Sequence, residues 1–129
     1  HVHLIESNTR KCAFLRTAIR ETGAAATVHE GRAEAIVAGL QVPVDRVIAR
    51  ALASLTDLFR LAEPVMARGV PAGFHKGDDF RREVAEASQS WEFDLVEHPS
   101  RVGGGGVILE ITRLGRKPRQ AHPAKQSQS

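Results

Sequence analysis

The chain has 129 residues, a formal net charge of +3, and 42% hydrophobic and 26% charged residues, which is typical of one globular domain. No apolar run approaches the roughly 20 residues that a membrane-spanning helix needs. The single cysteine, Cys12, excludes an internal disulfide and a cysteine metal cluster. We therefore expect a cytoplasmic protein.

The first half of the chain alternates between strand and helix patterns. A short strand over residues 2–5 precedes a helix over 9–22, which Ser7 or Asn8 can cap and Gly23 ends. A second strand is predicted over 26–29. Residues 31–34 then lead into a short helix, and residues 44–49 predict a third strand.

The second half continues the alternation of strands and helices until its last two elements, which are both strands. Ser54 begins a helix with capping-box spacing, and Pro64 is expected to kink or end it. Its apolar stripe consists of Leu55, Leu58, Phe59, Ala62 and Met66. Further elements are predicted in the order strand, helix, strand, strand: residues 70–75, 78–90, 91–97 and 107–114.

This order predicts an α/β fold. Strands that alternate with helices form parallel βαβ units, whereas the last two strands, joined by a short glycine-rich link, are expected to form an antiparallel pair at one edge. Residues 1–114 therefore form the domain. Residues 115–129 carry basic and polar side chains and no core residues, which predicts a disordered basic tail. That tail either touches RNA through counterion release or is simply solvated.

A series of short motifs resembles the GidB-type methyltransferases. They are, in order, Leu4-Ile5-Glu6-Ser7, Arg10-Lys11, Phe14-Leu15, Gly31-Arg32-Ala33-Glu34, Arg50-Ala51-Leu52-Ala53-Ser54-Leu55 and Lys76-Gly77. The resemblance implies a Rossmann-like fold that uses S-adenosylmethionine to methylate N7 of a guanine in bacterial 16S ribosomal RNA. The run from Arg50 to Leu55 is the most specific of these motifs.

The resemblance also implies a missing part. Family members begin with a helical region and a first strand followed by a glycine-rich cofactor loop, whereas this chain starts at what resembles the second strand. Residues 103–106 do not replace that loop, because no helix follows them. We therefore expect a carboxyl-terminal fragment or truncated product whose sheet is open in the middle. An open central edge predicts marginal stability or self-association.

Four residues are candidates for the cofactor. Glu6 ends the first strand, where a carboxylate can accept hydrogen bonds from ribose hydroxyls; the alternative is a carboxylate favoured by the start of a helix. By resemblance, Ala33 and Glu34 flank the adenine, although both also suit an ordinary first helical turn. Arg50 follows an apolar strand, where a buried arginine is costly unless paired. The resemblance places Arg50 beside the cofactor and the reacting guanine, and the alternative is a salt bridge to Glu6 or Asp45.

Three basic residues are candidates for RNA. Lys11 and Lys76 are expected at the same edge of the sheet, where they could contact RNA phosphate or the target base; the alternative for each is a solvated surface lysine. Arg32 either pairs with Glu34 or reaches RNA phosphate. The six histidines show no helical metal spacing, so no metal site is predicted.

The implied reaction explains why no nucleophile or catalytic triad stands out. Guanine N7 carries a lone pair and no proton, so it attacks the methyl group directly and the protein has to align the reactants. Arginine and lysine suit guanine because O6 and N7 are both acceptors. Two other hypotheses are a non-catalytic RNA-binding remnant of this fold and a different α/β nucleotide-binding enzyme.

Overall fold

The computed structural model describes residues 1–50, 53–101 and 106–118. The elements are, in chain order, β1 Val2–Glu6, α1 Thr9–Thr22, β2 Ala26–Glu30, α2 Ala33–Gly39, β3 Val47–Arg50, α3 Leu55–Met66, β4 Ala72–Lys76, α4 Phe80–Ala87, β5 Trp91–Pro99 and β6 Val107–Arg116. Every helix and strand predicted from the sequence is present. The link over residues 102–105 and the tail from residue 119 lie outside the described residues.

The strands form two sheets. Strands β1 and β2 pair in parallel, and a four-stranded sheet has the order β3-β4-β6-β5. In the second sheet β3 and β4 are parallel, while β6 is antiparallel to both β4 and β5. The predicted α/β fold with parallel units and an antiparallel pair at the carboxyl end is therefore confirmed.

Strands β1 and β3 are edge strands of the two sheets. In the described part of the chain, each of these strands has a hydrogen-bonded neighbour on one side only. Ile48 of β3 is 78% exposed. The described residues thus form two separate sheets, and the expected opening in the middle of one sheet stays a prediction.

The main core lies between α3 and the four-stranded sheet. The predicted apolar stripe of α3 is buried along its whole length. Phe59 is at its centre, with its ring 4.8 Å from that of Phe93 and 5.8 Å from that of Trp91 in edge-on arrangements, which aromatic rings prefer. The helix continues two residues past Pro64 and ends at Met66.

The two-stranded sheet has a smaller core. Cys12 is the only fully buried residue of α1, and Phe14 on the same helix is 71% exposed. The thiol of Cys12 donates to the carbonyl of Glu6 over 3.3 Å, and burial raises the pKa of this thiol. Cys12 is therefore a packing residue, as its place on the apolar face predicts.

All six strands differ from their predicted limits by one to three residues, as β3 and β6 illustrate. Strand β3 begins at Val47 and not at residue 44, and in the segment before it the carbonyls of Leu40 and Val42 accept from Arg68. Strand β6 continues past residue 114 to Arg116, which is paired with Trp91 of β5. The first two residues of the predicted tail are thus part of the sheet. None of the described helices is long and apolar enough to cross a membrane.

Candidate functional site

The predicted site residues lie at the carboxyl ends of the parallel strands. Glu6 ends β1 and is in register with Glu30, the last residue of β2. Arg50 ends β3 and is in register with His75 of β4, which precedes Lys76. In open α/β sheets ligands bind outside this edge. The structure therefore places Glu6 at the carboxyl end of the parallel strands in one sheet, and Arg50 and Lys76 at the carboxyl end of the parallel strands in the other.

Glu6 is held in place by the start of α1. The backbone N–H of Asn8 donates to its Oε2 over 2.9 Å, and this hydrogen bond holds the pKa of the carboxyl below its usual range. The carboxylate is therefore ionised at neutral pH. The backbone N–H of Ser7 also lowers this pKa, and the carboxylate lies at the carboxyl end of β1, where it can accept from a ligand.

Residues 32–34 form the entry to α2. Ala33 and Glu34 are in its first turn, and Arg32 occupies the N-cap position without a side-chain cap. No ion pair joins Arg32 to Glu34 among the described residues, so the first of the two alternatives for Arg32 is not formed. Arg32 and Glu34 are exposed and Ala33 is half-buried.

Arg50 is exposed, and the expectation of a buried strand end is wrong. Strand β3 is an edge strand whose residues alternate between half-buried and exposed, because in the described chain only β4 covers one of its sides. No ion pair to Glu6 or Asp45 forms in the described part of the structure. The guanidinium is therefore available to a ligand at the edge of the sheet.

The two candidate lysines differ in their surroundings. Lys11 is exposed on the first turn of α1. Lys76 is only 5% exposed, and its ammonium donates to the carbonyl of Ala53 and to Glu83 Oε1, each over 2.6 Å. In this conformation Lys76 contacts protein groups, and a role of its side chain in RNA binding stays a prediction.

Glu83 and Glu30 are two functional candidates that sequence reasoning missed. Glu83 accepts from Lys76 and also from the backbone N–H of Leu55 over 2.8 Å. Glu30 accepts from Thr9 and pairs with Arg16 at the edge next to Glu6. The sequence signal was available for Glu30, which directly follows the second strand, but not for Glu83, whose partner depends on how α4 packs.

Two histidines also meet across the two-stranded sheet. His3 Nδ1 and His29 Nε2 are 3.0 Å apart, although 26 residues separate them in the chain. Among the described residues, no group of three His, Cys, Asp or Glu side chains could hold a metal ion.

Comparison with known sequences identifies one family. The family model described as GidB, rRNA small subunit methyltransferase G, matches residues 1–111. Proteins with the name ribosomal RNA small subunit methyltransferase G from Brucella ovis and Brucella suis are each 48% identical over 116 residues, which cover 90% of this chain and 54% of the relative. The chain thus spans about half the length of the curated relatives it matches.

Comparison with solved structures supports the fold. An rRNA methylase from Streptococcus thermophilus has a TM-score of 0.59 at 11% identity, with 88% of this chain and 73% of the other covered. A methyltransferase from Geobacter sulfurreducens has a TM-score of 0.61 at 18% identity, with 87% and 58% covered. A Streptococcus mutans protein solved in complex with SAH has a TM-score of 0.57 at 9% identity, with 84% and 73% covered.

Proposed function

The chain belongs to the GidB family of small-subunit rRNA methyltransferases, and from this we propose that it takes part in methylating N7 of a guanine in bacterial 16S rRNA with S-adenosylmethionine as the methyl donor. The observation that carries the proposal is the placement of Glu6 and Arg50. Both lie in the matched region and both end parallel strands at the edge where α/β sheets bind ligands.

The residues at the edge of the two-stranded sheet fit the adenosine part of the cofactor. Glu6 is ionised, and a carboxylate can accept hydrogen bonds from ribose hydroxyls. Ala33 is small, so the first turn of α2 leaves room for a flat base beside its backbone. No glycine-rich loop connects a strand to a helix within the described residues, so we assign none of them to the methionine part.

The chain's own groups then have to bind and orient the reactants. S-adenosylmethionine supplies a methyl group on a positively charged sulfur, which makes it open to attack by a lone pair. Guanine N7 has such a lone pair and loses no proton, so no general base is needed. Arg50 can donate to guanine O6 or to the cofactor edge, and Lys11 and Arg32 can contact RNA phosphates.

The RNA partner is proposed to be 16S rRNA or the small ribosomal subunit, which implies a cytoplasmic location. Relatives carry the small subunit in their name. Exposed cations near the edge, Lys11 and Arg32, suit a polyanion, and binding through such contacts weakens as salt rises.

Substitution of Glu6 with glutamine tests the cofactor assignment. We expect the Kd for S-adenosylmethionine to rise about tenfold, because a charge-assisted hydrogen bond is worth about 1.5–3 kcal/mol and the neutral amide accepts more weakly. Isothermal titration calorimetry measures this change. Glu92→Gln is the matched control, since Glu92 is an exposed glutamate on β5, and its Kd should equal that of the unmodified chain. Equal affinities for both variants would remove Glu6 from the site.

We also propose that the open edges of β1 and β3 promote self-association or leave the chain marginally stable. An unpaired strand edge is a template for pairing with a second chain. Substitution of the exposed Ile48 with lysine should lower the weight-average mass measured by sedimentation equilibrium, because an edge charge opposes strand pairing. Ile108→Lys, at a 41% exposed position of β6, a strand with neighbours on both sides, is the control and should leave association unchanged. A monomer at all concentrations combined with a high melting temperature would contradict the proposal.

A further inference from the structure

Helix α1 presents a large aromatic side chain to solvent. Phe14 is 71% exposed, whereas Cys12, two residues earlier on the same helix, is fully buried. Residues two positions apart point in nearly opposite directions on a helix with 3.6 residues per turn, so Phe14 points away from the two-stranded sheet. Its ring therefore adds little to the packing of the domain and is accessible to a partner.

Two cations lie on the same side of α1, one turn before Phe14. Arg10 precedes Phe14 by four residues and Lys11 precedes it by three, and residues at these spacings are neighbours on a helix surface. Both cations are exposed, and neither forms an ion pair with another described residue. Arg16 of the same helix, by contrast, pairs with Glu30. We call Arg10, Lys11 and Phe14 together the α1 face.

The charges of the α1 face favour an anionic partner. Helix α1 has no acidic residue in its first turn, although the helix dipole favours acidic groups at that end and disfavours cations. Arg10 and Lys11 are in this turn, so an anion bound beside them would offset an unfavourable arrangement of charge. Two cations next to an exposed ring suit single-stranded nucleic acid, which offers phosphates to the cations and flat bases to the ring.

The α1 face adjoins the edge that is proposed to hold the cofactor. After the backbone N–H groups of Asn8 and Ser7, the charge of Lys11 also lowers the pKa of Glu6, so the ammonium of Lys11 lies near that carboxylate. Glu6 is the last residue of β1. An RNA strand bound to the α1 face would therefore extend to the carboxyl edge of the two-stranded sheet.

We propose that the α1 face binds an unpaired segment of rRNA, with Phe14 stacked on a base and with Arg10 and Lys11 in contact with phosphates. Enzymes that modify a base act on it outside the base stack, and aromatic side chains commonly stack on the unpaired bases of RNA. This inference rests on the proposed function, in which the substrate is rRNA. It adds to that function a stacking residue, Phe14, and a further phosphate contact, Arg10.

Binding of a short fluorescein-labelled single-stranded RNA of mixed sequence, measured by fluorescence anisotropy, tests the role of Phe14. We expect Phe14→Leu to raise the Kd at least about fivefold, the lower end of what one stacked base contributes. Phe14→Trp should bind at least as tightly as the unmodified chain, because indole also stacks, whereas leucine is apolar but has no aromatic face. Val96→Ala is the control, since Val96 is an exposed apolar residue on β5 of the other sheet, and its Kd should be unchanged.

The salt dependence of the Kd distinguishes the cations from the ring. Each phosphate contact with a single strand contributes about 0.7 to the slope of log Kd against log salt concentration. Arg10→Ala and Lys11→Ala should each lower the slope by about this amount, and Phe14→Leu should leave it unchanged. Arg46→Ala is the control, since Arg46 is an exposed arginine directly before β3. An equal decrease for Arg46→Ala would indicate diffuse attraction and overturn the assignment of the two cations.

The outcomes separate this surface from the proposed function. Unchanged RNA binding by Phe14→Leu, equal weakening by Phe14→Leu and Phe14→Trp, or no RNA binding by the unmodified chain at low salt would each overturn the proposed surface. A lower weight-average mass of Phe14→Leu in sedimentation equilibrium with unchanged RNA binding would also overturn it, because the α1 face would then be a contact between two copies of the chain. If RNA binding follows the expected pattern but the chain does not bind S-adenosylmethionine, the proposed function fails and the RNA surface is retained.

Discussion

Replacing Lys76 with methionine should lower the free energy of unfolding by about 3 kcal/mol, the lower end of the range for breaking a buried ion pair. The substitution keeps most of the volume but removes the ammonium. It leaves the carboxylate of Glu83 without its counter-charge in a site where that side chain is only 18% exposed. The carbonyl of Ala53 also loses its donor. Urea denaturation measures the change.

Two further variants test whether the broken ion pair between Lys76 and Glu83, and not the loss of any lysine, accounts for the lower free energy of unfolding. Lys11→Met removes an exposed lysine, so its free energy of unfolding should stay within about 0.5 kcal/mol of the unmodified chain. Lys76→Met combined with Glu83→Leu should recover part of the lost stability, because an apolar pair avoids the burial of an unpaired charge. A loss below about 1 kcal/mol for Lys76→Met would mean that water reaches the pair and screens it.

Replacing Arg50 with alanine should leave stability unchanged and remove binding. Arg50 is exposed and has no ion pair in the described structure, so we expect its loss to change the free energy of unfolding by no more than about 0.5 kcal/mol. A lost charge-assisted contact to the cofactor or the guanine should weaken binding of S-adenosylmethionine or RNA at least tenfold, since it is worth about 1.5–3 kcal/mol.

Arg46 provides the matched control for this experiment. It is an exposed arginine directly before β3, so it lies at the amino end of the strand that Arg50 ends. Its weak 4.0 Å ion pair with Glu110 contributes little at the surface. Arg46→Ala should therefore bind as the unmodified chain does. Equal loss in both variants would indicate a non-specific charge effect, and no loss in either would exclude Arg50 from the site.

The regular elements were predictable because their side-chain periods are visible in the sequence. The stripe of α3 repeats every three to four residues, and its members are the buried ones. The helix caps could also be predicted from the sequence: Asn8 accepts from the N–H of Lys11, and Gly23 has a φ of 70° at the end of α1. Helix stripes and caps depend on residues about one helical turn apart, so the local sequence is enough to predict them.

Features that depend on distant parts of the chain were not predictable. The insertion of β6 between β4 and β5 follows from register over many residues. The pairing of Lys76 with Glu83 requires α4 to pack beside the start of α3. The exposure of Arg50 follows from the edge position of β3, which an apolar run such as residues 47–49 does not reveal.

The most direct test of the proposed function is the modification state of small-subunit rRNA in a bacterium that lacks its own enzyme of this family and expresses this chain. Mass spectrometry of nuclease digests of its 16S rRNA should show one 7-methylguanosine that the parent strain lacks, and Arg50→Ala should abolish it while Arg46→Ala should not. Retention of the rRNA by the chain without any new 7-methylguanosine would contradict methyl transfer and favour a purely RNA-binding role.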